Sequence, residues 1–347
     1  MIALFLMLMA NPQPSNAREW YALGRARVAA ASQAYGELLA KAPADSPYVA
    51  AVRADGLMRR LQYPRAIAGF RAALAHEPNL VSARAALAGI YRKLGRPDWA
   101  AREETEIAAV DCAGHKIECD FVAGRYQAVL AATAGSHADA ALYWRGQAGT
   151  GLADEAFRKL EQLPPSAELH EYRAGLFWEA DRRLDVVREL REAVELEPAD
   201  RALRQNLASA LGAAGFFDEA YRMARELLGG APDSPQLNAL AGDALLGSER
   251  AEDALPFLKK SVARDSGNPA VQASLGRAYM QIGEAKLALP HLEAAARIDA
   301  DGSLHHLLAT AYQRTGQRKL AEKALEKYRE LAAKSAAAPA QAEITPP

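Results

Sequence analysis

The sequence predicts an all-α protein built as a solenoid of antiparallel helical hairpins. First, small residues recur at a fixed interval: Ala66 and Ala100, Ala174 and Ala208, and then Ala220, Ala254 and Ala288 are each 34 residues apart. A repeat of that length is the signature of stacked helical units. Second, within each unit the apolar residues fall at intervals of three and four, which places them on one stripe of a helix. Third, aromatic residues make up only 7% of the chain while alanine is abundant. A β-rich fold would call for more aromatic and β-branched residues. The chain has 347 residues, of which 50% are hydrophobic, enough for more core than one compact domain usually holds.

The unit is clearest in "VQASLGRAYMQIGEAKLALPHLEAAARI". Leu275, Gly276 and Tyr279 share one face of a first helix, and Ile282 and Gly283 end it, with glycine free to take a left-handed cap. Ala288, Leu292 and Ala295 line the facing side of a second helix. Gly276 and Ala288 are small because two closely packed helices leave no room for a leucine at both points. On this template, units fall near 17–46, 47–80, 81–114, 115–135, 136–166, 167–200, 201–234, 235–268, 269–301 and 302–334.

Each unit has its own justification. "EWYALGRARVAAASQAYGELLAKAP" reads as a compressed first copy, with Trp20 in its core. "LAGIYRKLGRPDWA" repeats the template through Leu87, Ala88, Tyr91, Gly95 and Ala100. The segment 115–135 is too short for a full unit, and "ALYWRGQAGTGLADEAFRKLEQLPP" reads as a pair that has lost residues between its helices. Packing is therefore expected to change over 112–166. Regular spacing resumes near residue 167, and "LASALGAAGFFDEA" and "LATAYQRTGQRKLA" carry the template again. Pro78, Pro198 and Pro232 sit where a second helix ends, since the residue before proline avoids helical geometry. The final stretch, 335–347, has no apolar face, ends in two prolines and reads as a disordered Ala/Pro-rich tail.

These residues resemble the tetratricopeptide repeat family from about residue 47 to 334, and the chain as a whole resembles a bacterial-type, exported member. The resemblance implies a right-handed superhelix with a concave groove and a protein that binds peptides or other proteins without chemistry of its own. It also implies where a partner would lie, on inward positions of the first helices. Those positions give Arg59, with Asp55 and Met58 beside it, and then Arg92 and Lys93. Further along come Trp178, Arg277, Gln281, His306 and Arg314, with Glu171, Glu179 and Asp243 among them. Relatives that grip a terminal carboxylate use a Lys/Asn/Arg clamp; Arg92 and Lys93 are present but the asparagine pattern is not. Each of these residues is equally compatible with a solvated helix face.

No catalytic fingerprint stands out: there is no phosphate loop, dinucleotide motif, HExxH or serine elbow. Lys+Arg is 42 and Asp+Glu is 43, so no basic excess calls for nucleic acid. No cofactor, metal or small-molecule substrate is indicated, and the expected partner is a protein or peptide. The alternatives are a cell-envelope enzyme with its site near 112–166, or an assembly protein using the convex face. Cys112 and Cys119 read either as a disulfide or as two unpaired thiols; a metal site with His115 lacks a fourth ligand. "MIALFLMLMA" with "NPQPSNA" behind it makes 1–16 either a signal segment, an apolar cap on the solenoid or a membrane anchor. A periplasmic or secreted location is expected on the first reading and a cytoplasmic one on the second; membrane contact is expected only through this segment. The oligomeric state is open.

Overall fold

The computed structural model describes residues 14–336. Among these there are eighteen α-helices, one short 3-10 turn and no strand. The apolar run at the N-terminus and almost all of the tail expected from residue 335 lie outside the described residues. The chain divides into two compact units, with the boundary between Asp181 and Arg182.

The first unit holds three hairpins: α2 (Pro47–Arg59) with α3 (Tyr63–His76), α4 (Val81–Lys93) with α5 (Pro97–Ala108), and the short pair α6 (Lys116–Val122) and α7 (Tyr126–Ala132). Two long helices flank them. Residues 17–46 do not form a hairpin: α1 (Ala17–Lys41) is a single helix of 25 residues. Residues 136–166 likewise hold one helix of 23 residues, α8 (Asp139–Glu161). The two pack antiparallel at close range, and glycine makes this approach possible. A Cβ on Gly24 would lie 2.5 Å from the Phe157 ring, and one on Gly146 would clash with the Tyr35 ring. These glycines are sites of helix contact. The unit ends with α9 (Ala167–Glu179), capped by Ser166, whose hydroxyl accepts from the Leu169 N–H at 3.2 Å.

The second unit opens with α10 (Arg183–Leu196) and continues with four hairpins. These are α11 (Arg201–Ala213) with α12 (Phe217–Gly230), α13 (Pro235–Gly247) with α14 (Ala251–Arg264), α15 (Pro269–Gln281) with α16 (Ala285–Ala295), and α17 (Ser303–Arg314) with α18 (Arg318–Ala336). The 34-residue rhythm is visible in the packing itself. A Cβ on Gly242 would sit 2.6 Å from Leu258, and one on Gly276 would sit 2.7 Å from Leu292. The buried Ala220, Ala254 and Ala288 occupy the facing helices. Asp200, Ser234 and Asn268 cap α11, α13 and α15 through their side chains, so each first helix starts at a fixed point.

The turn between paired helices carries one residue in the left-handed region, and it keeps the same register. Gly95, Gly124, Gly215, Gly283 and Gly316 hold it, with φ between 71° and 87°. Leu61 and Glu249 hold it too, at φ 58° and 61°, and Asp181, at the boundary of the two units, has φ 54°. Counting back from this residue gives every first helix a common numbering.

Candidate partner-binding cleft

The first helices α2, α4 and α6 share a face in the first unit, and the chain's own α8 covers it. Ser46, at the start of α2, hydrogen-bonds Asp139 at 3.2 Å, and Gln147 donates through Nε2 to Asp55 Oδ2 at 2.9 Å. The two helices therefore run in the same direction. Tyr143 and Ser82 of α4 share a buried hydroxyl–hydroxyl hydrogen bond of 2.7 Å. Trp144 packs on Phe121 of α6 with ring centroids 5.3 Å apart. Tyr143 and Trp144 are among the largest fully buried side chains. Arg145 reaches the carbonyls of Thr133 and Ser136, holding the loop before α8. The polar residues under α8 respond to this cover. Burial pushes the Asp55 carboxyl up to about 6, against the pull of the Gln147 hydrogen bond and Arg59. Burial likewise raises Tyr143 well above the usual phenol range.

In the second unit the corresponding face is open. A cleft of about 700 Å³ lies across α11, α13, α15 and α17. Asp243 and Gly247 of α13 form one wall; Ala270, Ser274, Arg277 and Gln281 of α15 run along it; Asp301 and Ser303 close one end. Arg277 and Gln281 stand one helical turn apart, exposed, and neither makes a side-chain hydrogen bond or ion pair among the described residues. Asp243 is open to solvent yet crowded by the walls. That crowding raises its carboxyl pKa, while Ser274 and Arg277 act in the opposite direction. Asp301 turns back to accept from the Ser303 N–H at 2.9 Å, which holds its carboxyl below the usual range. Asp299 is committed to His305, 2.6 Å away, and to the N–H of Gly302.

Of the residues mapped from sequence, Arg277 and Gln281 line this cleft together, with Asp243 opposite. The others lie elsewhere. Arg59 sits 3.6 Å from Glu179, both half-exposed, and Arg92 pairs with Glu104. Lys93 is exposed at the end of α4, and Trp178, 52% exposed, stands on α9. The His306 ring lies against Tyr328 of its own hairpin, 5.1 Å between centroids, so it does not line the cleft. Arg314 points its Nη1 at the Met280 carbonyl, 3.5 Å away. Sequence reasoning missed Ser303 and Ala270, which come from the first turns of α17 and α15. Their signal was available, since both stand thirteen residues before a left-handed turn glycine, as Ser82 does.

Cys112 and Cys119, in the segment where the enzyme alternative was located, form a disulfide with Cα atoms 5.7 Å apart. The bridge ties the loop between α5 and α6 to α6 itself, which carries Cys119. Among the described residues no group of three or more His, Cys, Asp or Glu is placed to hold a metal. No described helix is long and apolar enough to cross a membrane.

Fold and repeat together define an all-α helical-repeat protein. Residues 245–309, from the end of α13 into α17, match the family model described as "Tetratricopeptide repeat", and these helices are tetratricopeptide repeats. Among solved structures the chain is similar to MamA from Desulfovibrio magneticus RS-1, at 21% identity, covering 48% of this chain and 96% of that one with a TM-score of 0.42. It is also similar to TTC0263, a thermophilic TPR protein of Thermus thermophilus, at 18% identity, covering 50% and 94% with a TM-score of 0.43. No curated protein matches the chain by sequence.

Proposed function

We propose that the protein is a non-enzymatic interaction scaffold that binds a segment of a protein partner in the cleft of its second unit. The observation that carries this reading is the polar set Asp243, Arg277 and Gln281 gathered on one open face of preformed helices, with Arg277 and Gln281 making no side-chain hydrogen bond or ion pair among the described residues. Several other surface arginines are held in ion pairs, such as Arg191 with Glu219 at 2.7 Å and Arg204 with Glu226 at 2.6 Å, whereas Arg277 stands in a cleft without one. An arginine left free in a concavity offers directional hydrogen bonds to a carboxylate or carbonyl. Because neighbouring hairpins hold the walls in place, ordering costs on binding are low. Arg59, Arg92, Lys93, Trp178, His306 and Arg314 remain secondary contacts on this reading. The test is crosslinking of the full chain to its partners, repeated with Arg277→Glu and with Ala270→Trp. Loss of one partner in both variants supports the cleft; retention of every partner moves binding elsewhere. The disulfide at Cys112 and Cys119 supports an oxidising compartment. Thiol trapping in cells checks this, and a fully reduced pair would count against it.

A further inference from the structure

The two units present the same repeat positions, and in the first unit the structure shows what fits them. Thirteen residues before the left-handed turn stand Tyr48 and Ser82 in the first unit, both touching Tyr143 of α8. The same position gives Ala270 and Ser303 in the second unit, both lining the cleft. Three residues before the turn stand Phe121, packed on Trp144, and, in the cleft, Gly212 and Leu246. Six before it stands Asp55, which takes the Gln147 amide, and, in the cleft, Asp243 and Arg277. Asp55 and Asp243 are thus equivalent carboxylates, one satisfied by a helix of the same chain and the other facing open cleft.

Resting on the proposed partner-binding role of this cleft, we propose that its occupant is an amphipathic α-helix of the partner, lying along α13 and α15 as α8 lies along α2. The helix presents a side-chain N–H donor to Asp243, in the manner of Gln147, and an acceptor, carboxylate or amide, to Arg277. Several observations favour a helix over an extended segment. Part of the lining is small, from Gly212, Ala270 and Ser274, and part is apolar, from Phe217, Leu246 and Leu304, so the apolar face of a helix can settle into it. The polar groups Asp243, Arg277 and Gln281 are spaced along the walls and not in a ladder of backbone partners. The unit-one precedent shows that hairpins of this register accept a helix with a buried aromatic pair and a few directed hydrogen bonds.

The test uses two displayed peptide libraries of about the length of α8, selected on the full chain. One is held helical by side-chain bridges between residues four apart; the other carries a proline in every turn and cannot be helical. The proposal expects enrichment from the helical library. Its clones should bind at least roughly tenfold more weakly to Asp243→Ala and to Arg277→Ala, since each loses a hydrogen bond to a charged group. They should fail on Ala270→Trp, an exposed position whose substitution fills the cleft without entering the core. Unchanged circular dichroism and melting of the variants show that the loss is local. Enrichment from the proline library alone, blocked by Ala270→Trp, overturns the helix while the cleft stands. Clones indifferent to Ala270→Trp, or no enrichment from either library, overturn the cleft as well. Self-association of the chain abolished by Ala270→Trp makes a second copy the occupant and also overturns the proposal.

Discussion

Replacing Asp55 by asparagine tests whether α8 truly seals the face of the first unit. The Asp55 carboxyl is crowded between α2 and α8, with one hydrogen bond from Gln147 and Arg59 within electrostatic range. Burial lifts its pKa from 3.8 to about 6. The folded-state value lies above the unfolded one, so folding favours the protonated acid. Stability from this site is therefore complete below about pH 4 and is lost as pH rises through 6. A rise of this size corresponds to a penalty of about 3 kcal/mol on the charged form at alkaline pH. Asparagine keeps an oxygen for the Gln147 amide and carries no charge. Asp55→Asn should stabilise the first unit by about 1–3 kcal/mol at pH 8 and by close to nothing near pH 4. Urea unfolding followed by tryptophan fluorescence measures it, since Trp144 reports on the same packing. A variant that is less stable than the parent by the same amount at both pH values would refute the argument. Asp55 would then be a solvated carboxylate and α8 a loosely placed helix.

Other substitutions test the remaining parts of the account. Trp144→Ala should cost about 3–5 kcal/mol in the first unit, because the side chain is 2% exposed and packed among rings; a loss under about 1 kcal/mol would be incompatible with a core position. At the repeat turns, Gly283→Ala should destabilise by about 1 kcal/mol, because alanine resists the left-handed region, while Glu249→Gly at φ 61° should be neutral or stabilising; thermal melts decide the sign of each. Replacing both Cys112 and Cys119 by serine removes a closed loop of seven residues' separation and should cost about 2–2.5 kcal/mol by chain entropy. Adding reductant to the parent protein should reproduce that loss and leave the variant unchanged.

The regular hairpins were legible because one pattern of small and apolar residues serves every unit. Gly276 and Gly242 announce close helix contact by standing a repeat apart, and Pro78, Pro198 and Pro232 mark the ends of second helices. The inward mapping of first helices also carried Asp243, Arg277 and Gln281 to one cleft. The two long helices were not legible. Both segments read as shortened hairpins, and nothing in the 34-residue template reports that Gly24, Gly146 and Gly149 serve to let α1 and α8 touch. A glycine that permits a bend and one that permits contact are written with the same letter. The turns at Leu61, Asp181 and Glu249 were hidden for the opposite reason, since a left-handed residue other than glycine leaves no local signature. That α8 would cover the first helices of its own unit depends on a contact between Gln147 and Asp55, which lie far apart in sequence, and no periodicity within either segment reports it.

The central claim is that one repeat surface is sealed in the first unit and open in the second. Maleimide labelling of single cysteines at the equivalent positions Ser82 and Ala270 measures this in the folded chain, because the native cysteines are paired. Ser82→Cys, buried against Tyr143, should label slowly, at a rate set by unfolding of the unit, while Ala270→Cys, in the cleft, should label at close to the rate of a free thiol. Equal rates at the two positions, fast or slow, would contradict the account.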